Sequence, residues 1–178
     1  IPIVLENSKK SLSRCVCTLR PKSEGGLFTE QEDERKSILR LIAEYNPFLL
    51  DVEFNTIQKD KKLAMYLKKS KCKLLISWHD FKKTPNESQL KSRFNKMRKF
   101  SNVVKIVTVA KNVSDASRLL TLYSIKSKNK TVAFCMGDQG KFSRILCLHL
   151  GSPFTYASLG KAIAPGQFSV DEIKSLQN

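Results

Sequence analysis

What this sequence lacks narrows what it can be. No apolar stretch approaches the roughly 20 residues that a membrane-spanning helix needs, so no membrane association is expected. Its start, Ile1-Pro2-Ile3-Val4-Leu5-Glu6, is too short for a signal-peptide core and has no basic flank before it, which predicts a cytoplasmic protein. An initiator methionine is also missing, as in a trimmed chain or a fragment. Seven glycines include no GxGxxG or P-loop pattern, which weakens a nucleotide-binding reading. The five cysteines (Cys15, Cys17, Cys72, Cys135, Cys147) are an odd number with no zinc-like CxxC pair, and they predict a reducing compartment. Acidic residues are scarce, 16 against 32 basic ones, for a net charge of +16. That excess fits solvated lysine-rich helix faces, a nucleic-acid surface, or a field that draws in a small anionic substrate. The basic clusters are Lys68, Lys69, Lys71 and Lys73; Lys91, Arg93, Lys96, Arg98 and Lys99; and Lys126, Lys128 and Lys130. No aromatic stacking platform, zinc finger or basic-helix motif interleaves them, so no nucleic-acid partner is expected.

What is present is a regular alternation. A chain of 178 residues, 41% hydrophobic, can build one domain with a real core. Strands are predicted at 15–20, 48–54, 73–81, 103–110, 131–136 and 154–158. Helices are predicted between and after them. Thr29-Glu30-Gln31-Glu32 reads as a capping box before a helix with Ile38, Leu41 and Ile42 inward. A lysine-rich helix is predicted over about 57–67. Thr84-Pro85-Asn86-Glu87 opens another with proline at its first position, carrying Leu90, Phe94 and Met97 inward. Ser114 is the expected cap of the next, with Leu119, Leu122 and Tyr123 inside. Residues 143–150 read as a helix, and Ser169 with Glu172 caps the last. Six strands alternating with six helices imply an α/β fold with a parallel sheet, as a barrel or an open doubly wound sheet.

Lys105 is the residue that points to chemistry. It lies inside Val103-Val104-Lys105-Ile106-Val107-Thr108-Val109-Ala110, an otherwise apolar run that reads as a buried strand. A buried ammonium costs several kcal/mol, so such a lysine tends to shed its proton and become a nucleophile toward carbonyls. A lysine snorkelling from a strand end is the ordinary alternative, and the surrounding valines argue against it. His79 falls at the carboxyl end of the preceding strand, where barrel enzymes place their chemistry and where an imidazole can take and return a proton. Glu53, one strand back, could orient that imidazole; Asp51 and Asp80 compete for the role. Arg20 ends strand one, and Arg144 follows the 137–140 loop; either can bind a carboxylate in a fork or form a surface salt bridge. Gln167 sits in a Pro-Gly loop as a candidate hydroxyl binder, and His149 reads as a packing or surface residue.

In chain order, the marked residues are Arg20 with Ser23-Glu24-Gly25-Gly26, Asp51-Val52-Glu53, Ser77-Trp78-His79-Asp80-Phe81 with Thr84-Pro85, and Lys105-Ile106. Then come Met136-Gly137 with Gly140 and Ser143-Arg144, Gly151-Ser152, and Ala164-Pro165-Gly166-Gln167. From about Cys15 onward this ordered set resembles type I 3-dehydroquinate dehydratase, the Schiff-base enzyme of the shikimate pathway that serves aromatic amino acid and chorismate biosynthesis. The resemblance implies a TIM-type (β/α)8 barrel and a carbon-oxygen lyase. It implies an imine on Lys105, proton transfer by His79, and Glu53 orienting His79. Arg144 would hold the substrate carboxylate, Arg20 and Gln167 the ring-hydroxyl region, and Phe134, Met136 and Tyr156 an apolar wall. It implies no metal or dissociable cofactor, 3-dehydroquinate as the small-molecule partner, and a homodimer as the assembly the family often adopts.

Two departures follow from the same comparison. The family usually has two further strand-helix units at its N-terminus, the second carrying a Glu-x-Arg pair for substrate. Residues 1–178 are therefore expected to form one barrel domain with about six of the eight units. The family's serine before Ala-Pro-Gly-Gln is Ile163 here. The rival readings are a catalytically impaired, N-terminally truncated homologue or fragment, another lysine-imine barrel enzyme of the class I aldolase type, and a basic nucleic-acid-binding module.

Overall fold

Runs of leucine, isoleucine and valine become strands where they can be buried on both faces; four of the five strands are of this kind, and the short first one, Val16-Cys17-Thr18, is not buried. They lie in a computed structural model that describes residues 1–177. The strands are β1 (Val16–Thr18), β2 (Leu49–Glu53), β3 (Leu74–Asp80), β4 (Val103–Val109) and β5 (Lys130–Met136), ordered in the sheet as in the chain. The helices are α1 (Pro2–Ser8), α2 (Glu32–Glu44), α3 (Phe54–Lys59), α4 (Lys61–Lys69), α5 (Glu87–Met97), α6 (Val113–Leu120), α7 (Ser143–His149) and α8 (Val170–Gln177). The chain divides into two compact units, one of Ile1–Trp78 with Met97–Val103, the other of His79–Lys96 with the chain from Val104 onward.

In the first unit β1 pairs with β2, and β2 with β3, all parallel; Thr18 stands opposite Asp51, and Glu53 opposite Ser77. All five residues of β2 are buried, Asp51 and Glu53 included. A parallel strand covered on both faces normally reads as apolar throughout, so two buried carboxylates here mark polar partners rather than solvent. The core around them holds Leu39, Ile42, Leu50, Leu63, Leu67, Leu75 and Ile76.

Several sequence-based expectations change in detail. Strand β1 stops at Thr18, two residues before Arg20, because the chain folds back there: Gly26 N donates to Pro21 O (3.0 Å) and Phe28 N to Arg20 O (3.3 Å). A Cβ on Gly26 would sit 1.9 Å from the Arg20 carbonyl oxygen, so only glycine allows this approach. Thr29 does not cap α2; its hydroxyl bonds Glu30, and Gln31 takes the N-cap position with no side-chain bond. The acidic first turn of Glu32, Asp33 and Glu34 complements the helix dipole instead. The inner face of α2 is Arg35, Leu39, Ile42 and Ala43, with Ile38 and Leu41 only half-buried. The single helix expected over 57–67 is two helices, broken where the Asp60 side chain accepts from Leu63 N (2.8 Å) and starts α4.

In the second unit β4 and β5 are buried along nearly their whole length. Helix α5 begins at Glu87, with Asn86 and Gln89 exchanging bonds between side chain and backbone N–H (2.9 and 3.3 Å). Pro85 lies outside it, because Thr84 is drawn inward to Thr108 Oγ1 (2.7 Å) and Val109 O (2.9 Å). Asn112, not Ser114, caps α6 by accepting from Asp115 N (2.9 Å). Ser169 and Glu172 do form the expected reciprocal cap of α8 (2.7 and 3.1 Å). Leu90, Phe94, Met97, Leu119 and Leu122 are buried as their spacing predicts. Residues 154–158, expected as a sixth strand, form an extended segment whose only bridge is Ser158 to Ser169. Its alternating aromatics Phe154 and Tyr156 pack against a core of Val107, Val132, Phe134, Met136 and Cys147, and that packing produces the strand-like sequence pattern without a strand's ladder. No helix among the described residues is long and apolar enough to cross a membrane.

Candidate active site

The carboxyl ends of β1, β2 and β3 carry a cluster of charges in the first unit. Arg20 reaches Asp51 Oδ2 through Nη2 (2.6 Å), and Glu53 Oε1 (3.2 Å) and Ser77 Oγ (2.9 Å) through Nη1. The Ser77 hydroxyl donates to Asp51 Oδ1 (2.5 Å). Parallel register explains the meeting, since Glu53 and Ser77 share a rung and Asp51 lies two residues earlier on the same face of β2. The second oxygen of Glu53 accepts from Arg35 Nη1 (2.7 Å). Burial pushes the Glu53 carboxyl above its ordinary range, while Arg20 and Arg35 pull it back down.

Sequence reasoning missed two groups here. Arg35 is fully buried on α2, where it reads as one more charge in the run Glu32-Asp33-Glu34-Arg35-Lys36. Glu24 is buried in the turn after β1, and its carboxyl is pushed up to about 7, first by burial and then by the charge of Glu53. Asn55 Nδ2 donates to it (3.0 Å), and a cavity of about 690 Å³ lined by Glu24, Glu32, Asn55 and Thr56 opens beside it. A glutamate directly before Gly25-Gly26, in a turn that begins at a strand end, was the available signal.

The second unit gathers the other predicted residues. Lys105, 7% exposed, lies in β4 with Val104, Ile106 and Val107 buried around it, and its Nζ is 4.4 Å from the Tyr156 ring centroid. Phe134 stands 6.1 Å from Tyr156, ring to ring, and carries the Arg144 guanidinium on its face at 4.6 Å. Met136 completes this wall. The Lys105 amine and the Arg144 guanidinium thus rest on two adjacent aromatic faces, whose quadrupole favours a positive charge on the guanidinium. Arg144 is 2% exposed; its Nη2 donates to Pro165 O (3.2 Å), and its Nε is buried with no acceptor. Among the described residues no carboxylate pairs with it, and burial lowers it to about 10. A buried guanidinium with an unused N–H and no counter-ion is suited to hold an anion in a fork.

His79 is the penultimate residue of β3, half-buried, with its ring stacked on Phe81 at 5.9 Å. Asp80 is committed elsewhere, because its Oδ1 accepts from Lys82 N (2.9 Å) and Lys83 N (3.0 Å) in the following turn. Gln167 is buried, and its Oε1 accepts from Ile163 N (3.0 Å), which ties the 163–167 loop together; Ile163 itself points to solvent. His149 is exposed on the last turn of α7. The thiols of Cys147, in the core with this wall, and of Cys135, against Thr84 and Thr108, are both raised by burial. No cluster of metal-binding side chains occurs among the described residues.

Known proteins of one family resemble this chain. The family model for type I 3-dehydroquinase matches residues 3–178. The 3-dehydroquinate dehydratase of Pyrobaculum aerophilum is 39% identical over 158 residues, 88% of this chain and 50% of that protein. The enzyme of the same name from Dehalococcoides mccartyi is 37% identical over 161 residues, 89% of this chain and 72% of the other. The chain therefore spans half of the first relative and nearly three quarters of the second. The crystal structure of type I 3-dehydroquinate dehydratase from Clostridium difficile with covalent modified comenic acid superposes with a TM-score of 0.86 at 26% identity, covering 98% of this chain and 72% of that one. The fold is accordingly of the α/β, TIM-barrel type expected from the sequence.

Proposed function

The chain belongs to the type I 3-dehydroquinase family, and from that premise we propose that it is a hydro-lyase converting 3-dehydroquinate to 3-dehydroshikimate through an imine on Lys105. The observation that carries this reading is the pair of buried basic groups on one aromatic wall, the Lys105 amine on Tyr156 and the Arg144 guanidinium on Phe134. Arg144, with no carboxylate of its own, takes the substrate carboxylate, and the bound substrate presents its ketone to the Lys105 amine. The amine adds to the carbonyl carbon and the carbonyl oxygen leaves as water, forming the protonated imine. His79 removes the neighbouring C2 proton, and the electron pair passes into the imine, which acts as the electron sink. The pair then returns to expel the C1 hydroxyl, which leaves as water with the proton from His79. A second water hydrolyses the imine and restores the lysine. On the family resemblance we assign Glu53 the orienting of His79, and Arg20 and Gln167 the ring hydroxyls; Phe134, Met136 and Tyr156 exclude water from the reacting carbons.

Borohydride tests the covalent step. Reduction in the presence of 3-dehydroquinate should fix the ligand to the peptide that contains Lys105 and to no other. Folded protein that turns over substrate without such an adduct overturns the imine. A folded chain without turnover, assayed beside a longer version carrying upstream residues that is active, favours the impaired-homologue reading instead.

A further inference from the structure

The fully buried Arg35 grips its surroundings with every arm of its guanidinium. Nε and Nη2 form a fork on Glu32 (2.8 and 2.7 Å), and Nη2 also donates to Thr56 Oγ1 (2.6 Å). Nη1 donates to two acceptors, the Leu19 carbonyl (2.9 Å) and Glu53 Oε2 (2.7 Å). Both of those lead to the same neighbour. Leu19 O belongs to the peptide bond that enters Arg20, and Glu53 holds the Arg20 guanidinium through its other oxygen. We propose that Arg35 is a positioning residue for Arg20, fastening it at the root through the backbone and at the tip through Glu53.

Burial makes this fastening matter. Glu53 is wholly removed from solvent, a place where a carboxyl tends to keep its proton, and two guanidiniums pull it back toward the ionised form. Without Arg35 the carboxylate loses one of its two counter-ions, takes up a proton more readily, and grips Arg20 less well. The Leu19 carbonyl loses its donor at the same time. Asp51 and Ser77 then carry more of the task of orienting a long, rotatable side chain. Glu32, whose side chain is 47% exposed, makes the outer face of this clamp.

The consequence for catalysis rests on the assignment of Arg20 to the substrate; the positioning itself does not. Two readouts therefore separate them. The rate at which phenylglyoxal labels Arg20, followed by peptide mass, reports how firmly that guanidinium is held. Steady-state kinetics with 3-dehydroquinate report what the holding does. In R35M, labelling of Arg20 should quicken and KM should rise about tenfold with a much smaller change in kcat, as for a displaced binding group. R35K, which keeps one cation but loses the fork, should fall between R35M and the parent in both; it also serves as the test if R35M does not fold. Folded variants with altered thermal stability but unchanged labelling would make Arg35 a merely structural residue and overturn the proposal. Faster labelling with unchanged KM would uphold the positioning and remove Arg20 from the substrate site.

Discussion

Glu24 shows how a single carboxyl can tie stability to pH. Its proton is held to about 7 in the folded chain, against an ordinary value of 4.5. Because the folded value lies above the unfolded one, the contribution is complete below about 4.5 and is lost as pH rises through 7. Denaturant titrations should therefore show E24Q gaining on the parent by about 2 kcal/mol between pH 4.5 and 7.5, a curve that stays flat if the carboxyl is free. At this scale the sequence was legible wherever a charge interrupts an apolar run. Lys105 stands out because valines flank it, and Arg144 and Gln167 stand out by order in a family pattern. Arg35 was illegible because a helix rich in charges gives no sign of which one turns inward. Its burial depends on Leu19, Glu53 and Thr56, which meet it only after folding.

The elements were legible as types and less so at their ends. Strand cores at β2 to β5 follow from β-branched and leucine runs. The caps do not, because threonine, serine, asparagine and aspartate compete for each helix start and tertiary contacts choose among them. Thr84 is drawn into a buried bond with Thr108, leaving the start of α5 to Asn86. Asp60 shows the cost of overlooking such a contest, since it divides one expected helix into α3 and α4 while also meeting Lys36 Nζ at 3.2 Å. The variant D60A should lose about 1–2 kcal/mol in urea unfolding, with the cap as the main part. A loss near zero would mean that packing of Leu63 and Leu67 alone sets the start of α4. The missing sixth strand has the same origin, for side-chain alternation records packing and says nothing of which backbone groups find partners.

For the whole molecule the dominant fact is charge. Lys68, Lys69, Lys71, Lys73, Lys91, Lys96, Lys99, Lys126, Lys128 and Lys130 are all exposed, and the net charge is +16. A field of that sign raises the encounter rate with a carboxylate substrate and is screened by salt. We expect kcat/KM for 3-dehydroquinate to fall several-fold as ionic strength rises from about 0.01 to about 0.3 M, with kcat nearly constant. A flat profile would identify the lysines as solvated helix faces without a part in capture. The composition showed this charge at once, whereas its use is a matter of kinetics.

The sulfur atoms next to the aromatic wall have one last consequence. Burial keeps Cys135 and Cys147 in the SH form. Thiolate is the species that attacks electrophiles. A reactive ketone entering beside these side chains therefore meets sulfur that does not compete for it, and hemithioacetal formation, a side reaction that would sequester substrate, is suppressed by the same dryness that surrounds the amine.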